Sequence, residues 1–182
     1  MEKEENALVL DYLPYGYPMD KQMIPLAQAI GIKNFTLLQL IPRRTIKLEI
    51  GETVYIGEGK RDKIYYIQGK LPENKLTETS KQQIKVFIEN KILENEKKFV
   101  DFFNNAQAIN TRLHQLELLP GFGKKHTESI LEERNKKKFD NLDNLKERVP
   151  NLPDPRKAIE KRMVEEIIGR EKYYLFAGDS KV

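Results

Sequence analysis

The apolar residues of this chain change their spacing near residues 71–76, and one kind of secondary structure cannot satisfy both patterns. Before that point the spacing is two. Ala7-Leu8-Val9-Leu10, Phe35-Thr36-Leu37-Leu38-Gln39-Leu40, Glu52-Thr53-Val54-Tyr55-Ile56 and Lys63-Ile64-Tyr65-Tyr66-Ile67 are short strand-like runs, the last two rich in β-branched and aromatic residues. Beyond it, Ile84, Phe87, Ile88, Ile92, Phe99, Phe102 and Phe103 recur at three- and four-residue steps, which places them on one face of a helix. The sequence therefore predicts an α+β chain: a small, OB-like N-terminal β-barrel followed by an all-α domain.

The expected boundaries follow from punctuation. Residues 1–72 form the barrel, with Gly51, Gly57 and Gly59 at its turns. A short helix over residues 21–30, stopped by Gly31, joins its first two strands. Residues 73–110 hold one long helix starting after Thr77, or a pair broken near Asn95. Residues 111–170 hold helices over 111–118, 124–135, 141–148 and 155–168. The last has Asp154 as N-cap, Pro155 in its first position and Gly169 as C-cap. The tail, 171–182, contains Tyr173-Tyr174-Leu175-Phe176 and is too apolar to hang free, so it is expected to return to the barrel as a strand.

Composition removes several chemistries. With no cysteine there are no disulfides, thiolate metal sites or cysteine nucleophiles. The two histidines, His114 and His126, are too few and too scattered for a triad or a metal site. Glu132-Glu133 and Glu165-Glu166 are neighbours on helices, so the members of each pair point in different directions. Neither a Walker loop nor a Gly-x-Ser-x-Gly elbow occurs. No catalytic residue, metal or cofactor is expected. Nothing approaches a membrane-spanning run, and the start is acidic, so a cytoplasmic location is expected. The net charge of +4 is compatible with nucleic acid but does not demand it, because 28 acids sit among 32 bases.

The segment that points to function is LELLPGFGKKHTESILEER, beginning at Leu116. Pro120 blocks continuation of the preceding helix, Gly121 and Gly123 flank an apolar Phe122, and a second helix starts at Lys124. Glycines let the backbone turn tightly and approach a ligand. The first amides of the second helix lack intrahelical partners and have the positive end of the helix dipole behind them, an arrangement that accepts a phosphate oxygen. Lys124 and Lys125 add charge there.

This stretch resembles the helix-hairpin-helix motif of DNA-repair and recombination proteins, with Leu119, Pro120, Gly121, Phe122, Gly123 and Ile130 matching and Thr127 in place of the usual small Ala. The resemblance implies backbone contact by Gly121, Gly123, Lys124 and Lys125, with His126 beside them and Phe122 as a packing residue. Residues 139–168 have the same order of helix, apolar-Pro pair and helix, which resembles the duplicated form of that fold with a second connection that has lost its glycines. Asp140 and Asp143 sit in a capping context unlike the catalytic aspartate of helix-hairpin-helix glycosylases.

Over nearly its whole length the chain also resembles a family of uncharacterised archaeal proteins described as predicted RNA-binding proteins. Leu10-Asp11-Tyr12-Leu13-Pro14-Tyr15-Gly16, Tyr55-Ile56-Gly57-Glu58-Gly59-Lys60-Arg61 and Phe99-Val100-Asp101-Phe102-Phe103-Asn104 carry that likeness, together with the glycine turn.

In the barrel, the loop holding Lys60, Arg61 and Lys63 is flanked by Tyr55, Tyr65 and Tyr66, a mixture that either serves single-stranded nucleic acid or consists of tyrosines closing the barrel's edge beside solvated charges. Strict alternation sets Tyr55 and Tyr65 on one face and Tyr66 on the other. A second basic pair, Arg43-Arg44, lies on another connection, and Tyr12, Tyr15 and Tyr17 are expected to form a rigid turn packed on the barrel. The expected function is non-catalytic, largely sequence-independent binding of nucleic acid, RNA before DNA. A protein-interaction scaffold is the alternative, and a nucleic-acid-processing enzyme the third reading.

Overall fold

Strands β2 (Leu26–Gly31) and β3 (Leu37–Pro42) are buried along their whole lengths. A strand covered on both faces carries no alternation, which is why Leu26-Ala27-Gln28-Ala29-Ile30 was expected as the end of a helix over residues 21–30 and is instead a strand. In the computed structural model, which describes residues 3–178, these two strands are central to a five-stranded antiparallel sheet. Its other members are β1 (Asn6–Leu13), β4 (Thr53–Tyr55) and β5 (Ile64–Lys70), in the order β4-β1-β2-β3-β5. The sheet curls into a half-barrel and does not close as expected. Its edges are β4 and β5, and β4 has only three residues to offer.

Alternate residues of the strands fill the concave side: Val9, Ala27, Ala29, Leu40, Val54, Ile56 and Ile64 form one apolar cluster with Leu48. The opposite side carries a polar chain. Gln28 and Gln39 face each other in register across β2 and β3. The Tyr17 hydroxyl donates to Gln39 Oε1 at 2.9 Å and accepts from Gln28 Nε2 at 3.2 Å. Gln28 Oε1 in turn accepts the Thr77 amide, and the Thr77 hydroxyl donates to Asp11 at 2.6 Å. Burial and the nearby Asp20 carboxylate raise the Tyr17 pKa above its ordinary value, against the opposing hydrogen bond from Gln28. Tyr15, expected to pack, is exposed.

Five α-helices follow among the described residues: α1 (Glu78–Glu94), α2 (Glu96–Asn105), α3 (Lys124–Lys136), α4 (Leu142–Arg148) and α5 (Pro155–Ile167). The long helical pattern breaks at Asn95. By contact, residues 3–86 with 166–178 make one compact unit and residues 87–165 a second. The second unit has its own core, with Phe99, Phe103, Leu116, Leu119, Ile130, Leu145 and Ile159 all nearly inaccessible. Two arginines close helix ends there. Arg134 donates to the Phe103 and Ala106 carbonyls at the end of α2, and Arg148 to those of Glu133 and Lys137 at the end of α3.

The helix expected over residues 111–118 is absent. Asn110 Oδ1 accepts the Arg112 amide, a tight side-chain turn that favours a hairpin, and β6 (Ala108–Asn110) pairs with β7 (Leu113–His114). A single 3-10 turn, Gln115–Leu118, then begins on a capping box. His114 Nδ1 accepts the Leu116 amide, and Glu117 accepts the His114 amide.

Residues 170–178 form bends and no strand, unlike the expected tail. The buried Glu166 carboxylate accepts the amides of Leu175, Phe176 and Ala177, and the Gly178 amide donates to the Asn34 carbonyl in the β2–β3 turn. Residues 179–182 of that tail lie outside the described residues. No helix among the described residues is long and apolar enough to cross a membrane.

Candidate nucleic-acid interface

The second unit turns sharply between the 3-10 segment and α3. The Phe122 amide bonds back to the Leu119 carbonyl at 3.0 Å, and Gly121 takes a φ of +83°, which an L side chain rarely adopts. Phe122 points inward, its ring 6.1 Å from that of Phe103, while Gly121, Gly123, Lys124 and Lys125 are exposed. The sequence-derived residues of this turn are therefore brought together on the surface.

Their division of labour differs from the expectation. The Gly123 amide is taken, donating to His126 Nδ1 at 3.2 Å. That bond turns the His126 ring back over the loop, 5.9 Å from Phe122. The amides of Lys124, Lys125 and His126 have no acceptor among the described residues. Three of the other helices start on a capping side chain, Thr77 for α1, Asn141 for α4 and Asp154 for α5, while α2 follows Asn95 with no side-chain cap. Helix α3 starts on a glycine, so its first amides stay available to an outside acceptor.

The connection before α5 copies the turn's backbone. Asn151 follows Pro150 as Gly121 follows Pro120, and it has a φ of +59°. Leu152 is buried as Phe122 is. Here, however, Asp154 Oδ1 accepts the amides of Arg156 and Lys157, so those amides are satisfied from within the chain.

In the first unit, Lys60, Arg61 and Lys63 lie on the β4–β5 connection. Lys63 is ion-paired with Glu52, Arg61 Nε donates to the Gly57 carbonyl at 2.7 Å, and Lys60 is exposed. The Tyr55 hydroxyl accepts the Gly59 amide at 3.1 Å, so this ring supports the loop. Two features lay outside the sequence reading. Arg43 joins the same cluster, its Nε donating to the Arg61 carbonyl at 2.7 Å and its amide to the Lys63 carbonyl. The β3–β5 register also shifts between Ile41↔Tyr66 and Pro42↔Ile64, which leaves Tyr65 as an extra residue. This bulge breaks the alternation expected for Tyr65 and Tyr66, and both are exposed. Pro42, which has no amide hydrogen to give a strand ladder, was the available sign.

No group of three or more His, Asp or Glu side chains that could hold a metal occurs among the described residues.

The fold and the turn define a mixed α+β protein: an antiparallel half-barrel unit with a helical unit that carries an open, lysine-flanked glycine turn. The chain belongs to the family described as "Protein of unknown function (DUF655)", whose model matches residues 3–178. It is 43% identical over 178 residues to the "Uncharacterized protein MJ0038" of Methanocaldococcus jannaschii, covering 96% of this chain and 81% of that protein. The crystal structure of Af1531 from Archaeoglobus fulgidus, of the same family, is similar with a TM-score of 0.81 and 43% identity, covering 96% of this chain and 100% of that one. Kinship with a family of uncharacterised archaeal proteins is thus shown.

Proposed function

We propose that this protein binds nucleic acid without catalysis, holding the sugar-phosphate backbone at the turn from Gly121 to His126 in the manner of a helix-hairpin-helix. One observation carries the reading. Three unpartnered amides at the start of α3 face solvent beside two exposed lysines, a constellation that suits a phosphate oxygen. The repeated Pro, positive-φ residue and buried apolar residue at 150–152 fits a duplicated hairpin with one open and one closed copy. The 3-10 turn standing in for the first helix departs from the usual motif, but it leaves the second helix and its amides as the motif requires. Such contacts carry no base information, so binding should be largely independent of sequence. RNA is preferred over DNA in this reading because of the half-barrel and the likeness noted in the sequence.

The test is the salt dependence of binding to labelled oligonucleotides, single-stranded and duplex, RNA and DNA. Affinity should fall with salt at a log-log slope of roughly 0.7 to 0.9 per phosphate contacted. Lys124→Glu with Lys125→Glu should flatten that slope and leave the circular dichroism spectrum unchanged. An unaltered slope would overturn the assignment of the turn.

A further inference from the structure

The bulge at Tyr65 changes what the outer face of β5 presents. Alternation would have hidden one of two successive tyrosines, yet Tyr65 is 64% and Tyr66 42% exposed. Their neighbours Ile64 and Ile67 both turn inward to the barrel core. The rings meet edge to face, with centroids 5.5 Å apart and planes 74° apart. The Tyr65 ring stands largely in water, while the Tyr66 ring is partly covered beside Ile24, Leu26 and Ile41 and keeps an exposed portion.

Basic residues gather at the end of β5 where the bulge lies. Pro42 pairs with Ile64 across the bulge, so the β3 strand leads directly from Tyr66's partner Ile41 into Arg43 and Arg44. The Arg43–Arg61 and Arg43–Lys63 hydrogen bonds draw the β4–β5 connection to the same place. The acids of the β4–β5 connection and its approach are Glu52, Glu58 and Asp62, and Asp20 with Lys21 lies beside Tyr66. Glu52 is paired with Lys63 and Glu58 with Lys3. Arg43, Arg44 and Lys60 have no ion-pair partner among the described residues, and Arg61 makes none within 4 Å although, after the Lys3 hydrogen bond, its charge helps to lower the Glu58 pKa. The net field is positive, which favours a polyanion over an acidic-free apolar partner.

We propose that the Tyr65–Tyr66 pair is a stacking site for two unpaired nucleotides, whose phosphates run along Arg43, Arg44, Lys60 and Arg61. The protein therefore takes nucleic acid that is single-stranded at this face. Geometry makes the choice. Bases in a duplex lie parallel and are stacked on each other, so they cannot cover two faces 74° apart, whereas bases of a single strand can splay to do so. The inference rests on the nucleic-acid reading above, but it uses other residues, in the other unit.

The experiment compares binding of a labelled single-stranded RNA 12-mer and the matching duplex by the full-length chain and three variants, Tyr65→Ala, Tyr66→Ala and Tyr65→Phe. Each alanine variant should weaken single-strand binding roughly five- to hundredfold and leave duplex binding unchanged, while the phenylalanine variant, which keeps the ring, should bind as the parent does. Photocrosslinking of a 4-thiouridine-containing single strand to the unaltered chain should mark Tyr65 or Tyr66, which is a readout that needs no variant to fold. Alanine variants with parental single-strand affinity, or crosslinks confined to other peptides, would overturn this site alone. Duplex binding that survives such a result and still responds to Lys124→Glu with Lys125→Glu leaves the glycine-turn reading standing. Absence of binding to either probe removes both.

Discussion

A Cβ built on Gly121 would stand 3.5 Å from Cγ of Pro153, an ordinary van der Waals contact. Space is therefore not what requires glycine there; the φ of +83° is. Gly121→Ala should destabilise the chain by about 1–2 kcal/mol, the cost of holding an L residue in the left-handed region. Gly121→Asn should cost less, since Asn151 already occupies the matching position of the second turn. Urea denaturation of the two variants checks the order, and an alanine variant as stable as the parent would remove the argument.

Gly123 gives the opposite sign. It has extended backbone and nothing within 4 Å of its missing Cβ. In Gly123→Ser the hydroxyl can cap α3, so stability should hold or rise by a few tenths of a kcal/mol. The same hydroxyl occupies an amide that phosphate would use, so oligonucleotide affinity should drop. Thermal denaturation and fluorescence anisotropy on one preparation separate the two effects. If affinity rises with stability, the amides are not the binding groups.

His114 makes folding depend on pH. Burial, and then the Arg134 guanidinium, push its pKa below the ordinary 6.5, with Glu117 opposing. The folded state therefore prefers the neutral ring, and its Nδ1 must be unprotonated to accept the Leu116 amide. As pH falls below about 6.5 the unfolded chain gains the proton first. Stability should decline from there until the folded pKa is passed. Asn can cap without titrating, so His114→Asn should flatten this stretch of the stability–pH curve. A curve unchanged by the substitution would contradict the cause given.

At the other unit's turn, crowding decides. A Cβ on Gly31 would fall 2.1 Å from the Glu4 carboxyl carbon, because that carboxylate folds over the glycine to accept the amides of Lys33 and Asn34. Gly31→Ala should cost about 1–3 kcal/mol by displacing it. Glu4→Ala should cost a similar amount by leaving those amides unpaired. Combined, the two changes should cost less than the sum, with a coupling above about 0.5 kcal/mol in a double-mutant cycle. Strict additivity would mean that the two residues do not share the space.

What could be read from the letters depended on how far each signal was local. Thr77, Asn141 and Asp154 are caps because their side chains bond amides two or three residues on. That chemistry is complete within a short window, and the glycine turn belongs to the same class. The β2 strand was illegible because neighbours on both faces erased its alternation, which no window in its own sequence records. The stretch 111–118 misled because Leu113 and Leu116 keep helical spacing while Asn110 and the His114–Glu117 box hold the backbone in another form. Neither Arg43's place beside Arg61 nor the Tyr65 bulge is local to one stretch; both depend on which strand lies beside β5.

The irregularity of β5 also bears on how the half-barrel avoids growing. As an edge strand with unpaired backbone groups, β5 invites a further strand from another molecule. Its register against β3 slips twice within seven residues, at Tyr65 and at Gln68. A straight incoming strand would lose its hydrogen-bond ladder at both places, so chains crowded together after heating should resist joining edge to edge.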